Sequence, residues 1–223
     1  MKVLLLDGTT SHDSEAIELA ADTDTELRAR GCRLEEYRLR DLSLNNCRGC
    51  FGCWYKSPGE CIQEDSAVDI AKSLVRSDLM VLVTRTTFGG YSSLIKSALD
   101  RTISVISPFF ISTDGVTRHE KRYETYPALA VIGLSGEPAR LGRGLASPGL
   151  GGPALNGRGL ASPGLGGPDP EAESIFRELV ARNAFNFHSP SFAVGLVRAG
   201  TPSEERIKII GNTLESLGVG FRS

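Results

Sequence analysis

Short apolar runs alternate with helical patterns along most of this chain. The apolar runs predict five strands, at residues 2–6, 33–39, 78–84, 126–134 and 191–197. Apolar residues at helical spacing predict a helix after each strand, at 14–31, 66–77, 92–106, 171–187 and 202–218. This alternation predicts an α/β fold, in which helices cover both faces of a parallel sheet. We expect residues 1–223 to form a single domain.

One tract breaks the alternation. The sequence GRGLASPGLGGP stands at 142–153 and again, unchanged, at 157–168. It is rich in Gly and Pro and poor in large apolar residues, so it cannot bury enough surface to offset its ordering entropy. We interpret residues 139–170 as a flexible insertion between the fourth strand and the fourth helix. A lid over a neighbouring site is the alternative.

Composition narrows the classes of function. A chain of 223 residues can bury a core without covalent cross-links. Its net charge of −2 shows no electrostatic footprint for nucleic acid. No segment approaches the roughly 18 apolar residues of a membrane span. We therefore expect a cytoplasmic protein without nucleic-acid or membrane partners, in a compartment that keeps thiols reduced.

Three loops leave the carboxyl ends of predicted strands, where open parallel sheets bind their ligands. The first loop, 7–14, precedes a helix N-terminus, whose free N–H groups attract phosphate. Its candidate phosphate-binding residues are Thr9, Thr10, Ser11 and Ser14. Capping of the helix by a hydroxyl residue such as Ser14 explains the same composition equally well.

The second loop follows the third predicted strand and reads TRTTFGGYSS. Gly89 and Gly90 let the backbone approach a flat ligand, and Phe88 and Tyr91 offer stacking surface. An ordinary glycine turn with one buried aromatic residue is the alternative. The third loop begins at residue 134.

Two segments carry a resemblance to a known family. TRTTFGGYSSLIKSALDRTI, at 84–103, resembles the second flavin loop and following helix of the NAD(P)H-dependent FMN reductase-like branch of the flavodoxin superfamily. CRGCFGCWYKSPGEC, at 47–61, is similar to the cysteine loop of that branch, which includes iron–sulfur flavoproteins. The resemblance implies a flavodoxin-like three-layer sandwich, with five parallel strands in the order 2-1-3-4-5 and FMN at the switch point.

The resemblance also implies a site and a function. The phosphate of FMN would lie against Thr9, Thr10, Ser11 and Ser14. The isoalloxazine ring and ribityl chain would lie against Thr84, Arg85, Thr86, Thr87, Phe88, Gly89, Gly90 and Tyr91, with Gly133, Ser135 and Gly136 closing over the ring. NAD(P)H would pass electrons through the flavin to a small-molecule or redox-protein acceptor. Because the cofactor does the redox chemistry, we expect no catalytic side-chain acid or base. A homodimer or homotetramer is implied as well.

The first loop departs from the pattern of that branch, G-S-P-R-x-x-S-N-T. Ser11 stands where Arg is usual, and Glu15 replaces Asn. The loss of a cation and the gain of acids weaken the binding of a phosphate by Coulomb repulsion. Arg85, where Pro is usual, can replace part of the missing positive charge.

Four of the five cysteines form one compact motif, Cys47-x2-Cys50-x2-Cys53-x7-Cys61. Thiolates bind iron–sulfur clusters and zinc, and three cysteines at this spacing can wrap a [4Fe-4S] cluster. A loop that keeps its cysteines without a cluster is an equally open alternative. Zinc is disfavoured because its C-x2-C pairs usually lie a dozen or more residues apart. A Cys53–Cys61 disulfide requires an oxidant.

Three functions follow from these observations. The main hypothesis is an FMN-dependent NAD(P)H oxidoreductase, with the cysteine loop as a possible cluster site. The second is an electron-transfer iron–sulfur flavoprotein without its own nicotinamide activity, and the third is a flavodoxin-like module that has lost FMN. Lys96, Asp100 and Arg101, at i, i+4 and i+5 of one helix, are interpreted as a solvated ion-pair face, with a dimer contact as the alternative.

Overall fold

The computed structural model describes residues 1–113, 115–136 and 170–220. Its strands are β1 (Lys2–Asp7), β2 (Arg33–Arg38), β3 (Leu79–Arg85), β4 (Ile106–Thr113), β5 (Val116–Lys121), β6 (Ala128–Ser135) and β7 (Phe192–Arg198). Five of them form a parallel sheet in the order β2-β1-β3-β6-β7, and β4 and β5 form an antiparallel hairpin. The predicted order 2-1-3-4-5 is the same topology, because the predicted fourth and fifth strands are β6 and β7.

The helices are α1 (Ser14–Ala29), α2 (Gly52–Tyr55), α3 (Ser66–Arg76), α4 (Ser93–Arg101), α5 (Pro170–Asn186) and α6 (Ser203–Glu215). Helix α1 is capped by Asp13, whose carboxylate accepts a hydrogen bond from the Ala16 N–H at 3.2 Å. The prediction that Ser14 caps this helix is therefore wrong. In the described ranges, no helix is both long enough and apolar enough to cross a membrane.

Two hydrophobic clusters flank the sheet. Successive strand side chains point to opposite faces, and the central strands bury both. Leu4 and Met80 belong to a cluster that includes buried residues of α3, α4 and α5. Val3 and Val81 belong to a second cluster, formed with α1 and α6. Each large apolar side chain contributes about 1.5–3 kcal/mol by this burial, which holds the loops at the strand ends in place.

Two predicted elements differ from the structure. The helix predicted at 92–106 ends at Arg101 and continues as a 3₁₀ turn, Thr102–Val105. The hairpin β4–β5 was not predicted. The insertion predicted at 139–170 lies outside the described residues except for Pro170, the first residue of α5.

Candidate functional site

The loops after β1, β3 and β6 meet at the carboxyl edge of the sheet. Ser92 Oγ donates a hydrogen bond to the Gly8 carbonyl at 2.8 Å, which joins the first loop to the second. Arg85, at the end of β3, contacts the other two loops. It forms an ion pair with Asp13 and donates from Nη1 to the Gly136 carbonyl at 2.7 Å. One side chain thus ties together the three loops predicted to bind a ligand.

In the first loop, Thr9 is an internal support. It is buried, its N–H donates to Asp7 Oδ1 at 2.9 Å, and its hydroxyl accepts from Arg40 Nη1 at 2.7 Å. Arg40 also forms an ion pair with Asp7 at 2.5 Å. These contacts fix the path of the backbone as it leaves β1, so Thr9 has little hydroxyl surface left for a ligand.

The other hydroxyl residues of the first loop face solvent. Thr10, Ser11 and Ser14 are all exposed. In the described part of the chain, the backbone N–H groups of Thr10, Ser11 and His12 form no hydrogen bond. Free N–H groups just before a helix N-terminus are suited to bind an anion.

Charge works against an anion at the same place. Burial raises the pKa of Asp13, but hydrogen bonds from Arg85 and from the Ala16 N–H outweigh it and hold the pKa below its usual value. Asp13 is therefore ionised, and it balances the charge of Arg85. Glu15 Oε2 lies 3.8 Å from Arg85 Nη2. Two carboxylates thus surround the one guanidinium that was expected to compensate for the arginine missing from the loop.

The second loop ends in a tight turn with an aromatic residue at its tip. Thr87 and Gly90 exchange two backbone hydrogen bonds, of 2.9 and 2.8 Å. The two residues between them, Phe88 and Gly89, have φ angles of 50° and 71°, and a type I′ turn requires positive φ at both positions. This conformation costs Phe88 roughly 1 kcal/mol, and its side chain is fully exposed. Such strain is common in binding loops.

Tyr91 lies in the core instead. It is buried, and its ring meets the ring of Phe176 edge-on, with centroids 5.5 Å apart. Burial raises the pKa of its phenol to about 12, although a hydrogen bond from Asn183 opposes the shift. The placement gives Tyr91 a role in packing the second loop against α5, and it does not support the prediction of flavin stacking.

The other predicted binding residues also divide into buried supports and exposed residues. The Thr84 hydroxyl accepts a hydrogen bond from the Ser92 N–H at 2.9 Å, which shapes the second loop from inside. A Cβ on Gly133 would lie 2.8 Å from Leu196, so packing against β7 requires a glycine there. Gly89 is buried. In the second and third loops, the predicted binding residues that remain partly or fully exposed are Arg85, Thr86, Thr87, Phe88, Gly90, Ser135 and Gly136.

The four clustered cysteines line one small cavity. Its volume is about 40 Å³, room for a few water molecules. Burial raises the pKa of the Cys53 thiol, and the proximity of Cys61, Cys47 and Cys50 raises it further. All four are free thiols. The donor set fits a soft metal or an iron–sulfur cluster, but no described group of His, Cys, Asp or Glu forms a preassembled metal site.

Arg101 also lines this cavity, and sequence reasoning missed it. Its side chain is 0% exposed and forms an ion pair of 2.6 Å with Asp65. The predicted solvated face is confirmed for Lys96 and Asp100, which pair on the exposed side of α4. It is wrong for Arg101, which points into the protein because it lies one position further around the helix. The apolar spacing of α4 was the available signal, since Arg101 falls three residues after the buried Ala98.

Comparison with known proteins identifies the family. The family described as NADPH-dependent FMN reductase matches residues 1–138. The chain belongs to this family. The prediction from the two quoted segments is thus confirmed.

Two curated proteins resemble this family member over a shorter stretch. An iron–sulfur flavoprotein of Archaeoglobus fulgidus is 27% identical over 101 residues, which cover 45% of this chain and 48% of that protein. An iron–sulfur flavoprotein of Methanocaldococcus jannaschii is 30% identical over 101 residues, 45% of this chain and 51% of that protein. The chain therefore spans about half the length of the curated relatives it matches.

Solved structures share the fold of this FMN reductase family member. The NAD(P)H:quinone oxidoreductase from Methanothermobacter marburgensis has a TM-score of 0.60 at 11% identity, covering 97% of this chain and 94% of that one. The FMN-dependent NADH-azoreductase from Bacillus anthracis, in complex with FMN, has a TM-score of 0.57 at 13% identity, covering 97% and 96%. At such low identity, these matches show the fold alone.

Proposed function

We propose that this chain is an FMN-dependent NAD(P)H oxidoreductase, built as a flavodoxin-like three-layer sandwich. The observation that carries the proposal is the Arg85 junction, which joins the three loops at one edge. The carboxyl ends of β1 and β3 lie at that edge. The strand order reverses between these two strands, and open sheets bind ligands just outside such a point. Bound FMN would accept hydride from the nicotinamide and pass electrons to a small-molecule or protein acceptor.

The residues of the chain would bind and orient the cofactor. The free N–H groups and hydroxyls of Thr10 and Ser11, with Ser14, would hold the phosphate. Phe88 would cover the ring, and Ser135 and Gly136 would close the third side. Thr9, Thr84 and the other internal supports would keep the loops in register. No side-chain acid or base is required, because the cofactor supplies the redox chemistry.

A charge placed in the first loop tests the phosphate site. Thr10→Asp should raise the dissociation constant of FMN by about tenfold or more, because it puts a carboxylate beside a phosphate dianion. Binding of riboflavin, which lacks the phosphate, should not change. Both constants are measured by quenching of flavin fluorescence. Thr25→Asp, at an exposed position on α1, is the matched control and should change neither.

Equal weakening of FMN and riboflavin would show that Thr10→Asp distorts the loop without touching a phosphate site. The oxidoreductase itself is tested by steady-state oxidation of NADPH and NADH by the FMN-loaded protein. Turnover at or below the rate for free FMN would contradict the proposal. A colourless protein that takes up no added FMN would instead favour a module that has lost the cofactor, as the two carboxylates near the first loop would explain.

A second candidate function is electron transfer by an iron–sulfur flavoprotein. It is favoured by the four cysteines of one loop, all of which line one cavity. Cys47, Cys50, Cys53 and Cys61 would hold a [4Fe-4S] cluster, which exchanges single electrons when bound. Protein purified without oxygen should then contain iron and inorganic sulfide, and it should oxidise almost no NAD(P)H. Iron-free protein with rapid NAD(P)H oxidation would reject this candidate.

A further inference from the structure

The buried guanidinium of Arg101 has no role in the loops at the strand ends. Removing such a charge from water costs several kcal/mol unless close partners compensate. Asp65 provides the compensating charge, with carboxylate oxygens 2.6 Å from Nη1 and 2.8 Å from Nη2. A buried pair is weak evidence for stability alone, so its other contacts indicate what it does.

Those contacts join the two ends of the cysteine loop. Nη1 donates to the Asn45 carbonyl at 2.8 Å, just before the first cysteine. Nη2 donates to the Gln63 carbonyl at 3.2 Å, just after the last. Asp65 strengthens the closure because it accepts hydrogen bonds from both the backbone and the side chain of Asn45. All four cysteines therefore lie within a loop whose ends are held by one side chain.

Arg101 also reaches one of the four cysteine sulfurs. Nη2 lies 3.4 Å from Cys61 Sγ, within hydrogen-bond distance for sulfur. Its Nε–H is buried and has no hydrogen-bond partner within the described residues. Arg101 lines the same cavity as the four cysteines. Arg101 thus gives this cavity a fixed cation and one donor to a cysteine sulfur.

We propose that Arg101 is the positioning residue of the cysteine site. It closes the loop whose four cysteines line one cavity, and it donates a hydrogen bond to the Cys61 sulfur. This donor raises the reduction potential of a bound iron–sulfur cluster, because donors to the sulfurs stabilise the more negative reduced state. The effect on potential rests on the iron–sulfur candidate above, whereas loop closure does not.

Loop closure is tested on the cluster-free protein by alkylation. Cys53 is buried and Cys47 is exposed, so their iodoacetamide rates, followed by mass spectrometry, report opening of the loop. In Arg101→Gln and Arg101→Lys, Cys53 should react about tenfold faster or more, while Cys47 keeps its rate. Arg30→Gln is the matched control. Arg30 is also a buried arginine, with a side chain 2% exposed, and it pairs with Glu26 and Glu215.

Unchanged Cys53 reactivity in both Arg101 variants, or an equal increase in Arg30→Gln, would overturn the proposal. If Arg101→Gln does not fold, judged by circular dichroism, Arg101→Lys decides, since it keeps the charge opposite Asp65 but loses the planar set of donors. After anaerobic reconstitution with iron and sulfide, Arg101→Lys should bind less iron and show a lower midpoint potential than the wild type. If the wild-type protein binds no iron, the iron–sulfur candidate and the effect on potential are both contradicted. The alkylation rates would still test loop closure.

Discussion

Asp13 caps helix α1 and neutralises Arg85. The cap needs only an oxygen acceptor, whereas neutralisation needs the negative charge. Asp13→Asn keeps a good capping residue and removes one negative charge near the first loop. We expect FMN to bind about fivefold more tightly, which is about 1 kcal/mol, the order of the Coulomb energy between two partly solvated charges. Fluorescence titration measures the change.

Asp24→Asn is the control for this substitution. Asp24 lies on the same helix and pairs with Arg28 on the surface, so its loss should leave FMN affinity unaltered. Weaker FMN binding in Asp13→Asn would mean that the geometry of the Arg85 junction matters more than its net charge.

Phe88 combines strain with exposure, and the two can be separated by mutation. Asn tolerates a positive φ better than Phe, so Phe88→Asn should stabilise the cofactor-free protein by about 1 kcal/mol and raise Tm by about 2–4 °C. Loss of the aromatic surface should weaken FMN binding by roughly tenfold. Calorimetry and FMN titration give the two values.

Tyr91→Phe is the matched control, because it should change stability without changing FMN binding. It removes the hydroxyl that accepts from Asn183, so Tm should fall while FMN affinity stays the same. Wild-type FMN affinity in Phe88→Asn would show that the exposed ring does not contact the flavin.

At the scale of elements, the Asp65–Arg101 pair links α3, α4 and the cysteine loop. Burial raises the pKa of Asp65, but hydrogen bonds from Arg101 and Asn45 lower it to a net value below the usual one. Because the folded-state pKa is lowered, the Asp65–Arg101 pair stabilises the fold fully at any pH above the unfolded-state pKa of Asp65, near 3.9. It is lost as the pH falls through the folded-state pKa.

Asp65→Asn should therefore lower the free energy of unfolding by about 3 kcal/mol near neutral pH, because it leaves Arg101 buried without its counter-charge. The difference from wild type should shrink as the pH is lowered below about 3.9. Urea unfolding at a series of pH values measures it. Asp100→Asn breaks an exposed pair and should change the free energy of unfolding by less than about 1 kcal/mol. A pH-independent difference for Asp65→Asn would contradict the linkage.

The parallel strands could be predicted because β1, β3 and β6 bury both faces and read as continuous apolar runs. The hairpin could not, since Phe109, Phe110 and Ile111 are consecutive exposed apolar residues without alternation. The binding loops followed from topology and composition. The sequence could not show which residues of these loops are buried supports and which are exposed. The burial of Tyr91, for example, depends on Phe176, which lies on a helix distant in sequence. Arg101 was missed for the same reason, since its partner Asp65 lies 36 residues away.

At the scale of the whole molecule, the hairpin β4–β5 presents an apolar surface. The side chains of Phe109 and Phe110 are 69% and 64% exposed. The hairpin is fastened to the body by His119, whose carbonyl accepts a hydrogen bond from His188 Nε2 at 2.6 Å. Adjacent exposed aromatic residues on a fixed element are typical of protein interfaces. They support the expectation of a homodimer or homotetramer.

Phe109→Ser tests whether a second copy of this chain covers the hairpin. If it does, the substitution removes a large apolar contact, and the dissociation constant of the oligomer should rise by about tenfold or more. Light scattering at several protein concentrations measures the mass. Phe192→Ser, on the edge strand β7 and 46% exposed, is the control and should keep the wild-type mass. A monomeric wild type would refute the oligomer. A loss of mass in Phe192→Ser alone would indicate that the interface lies at β7 and not at the hairpin.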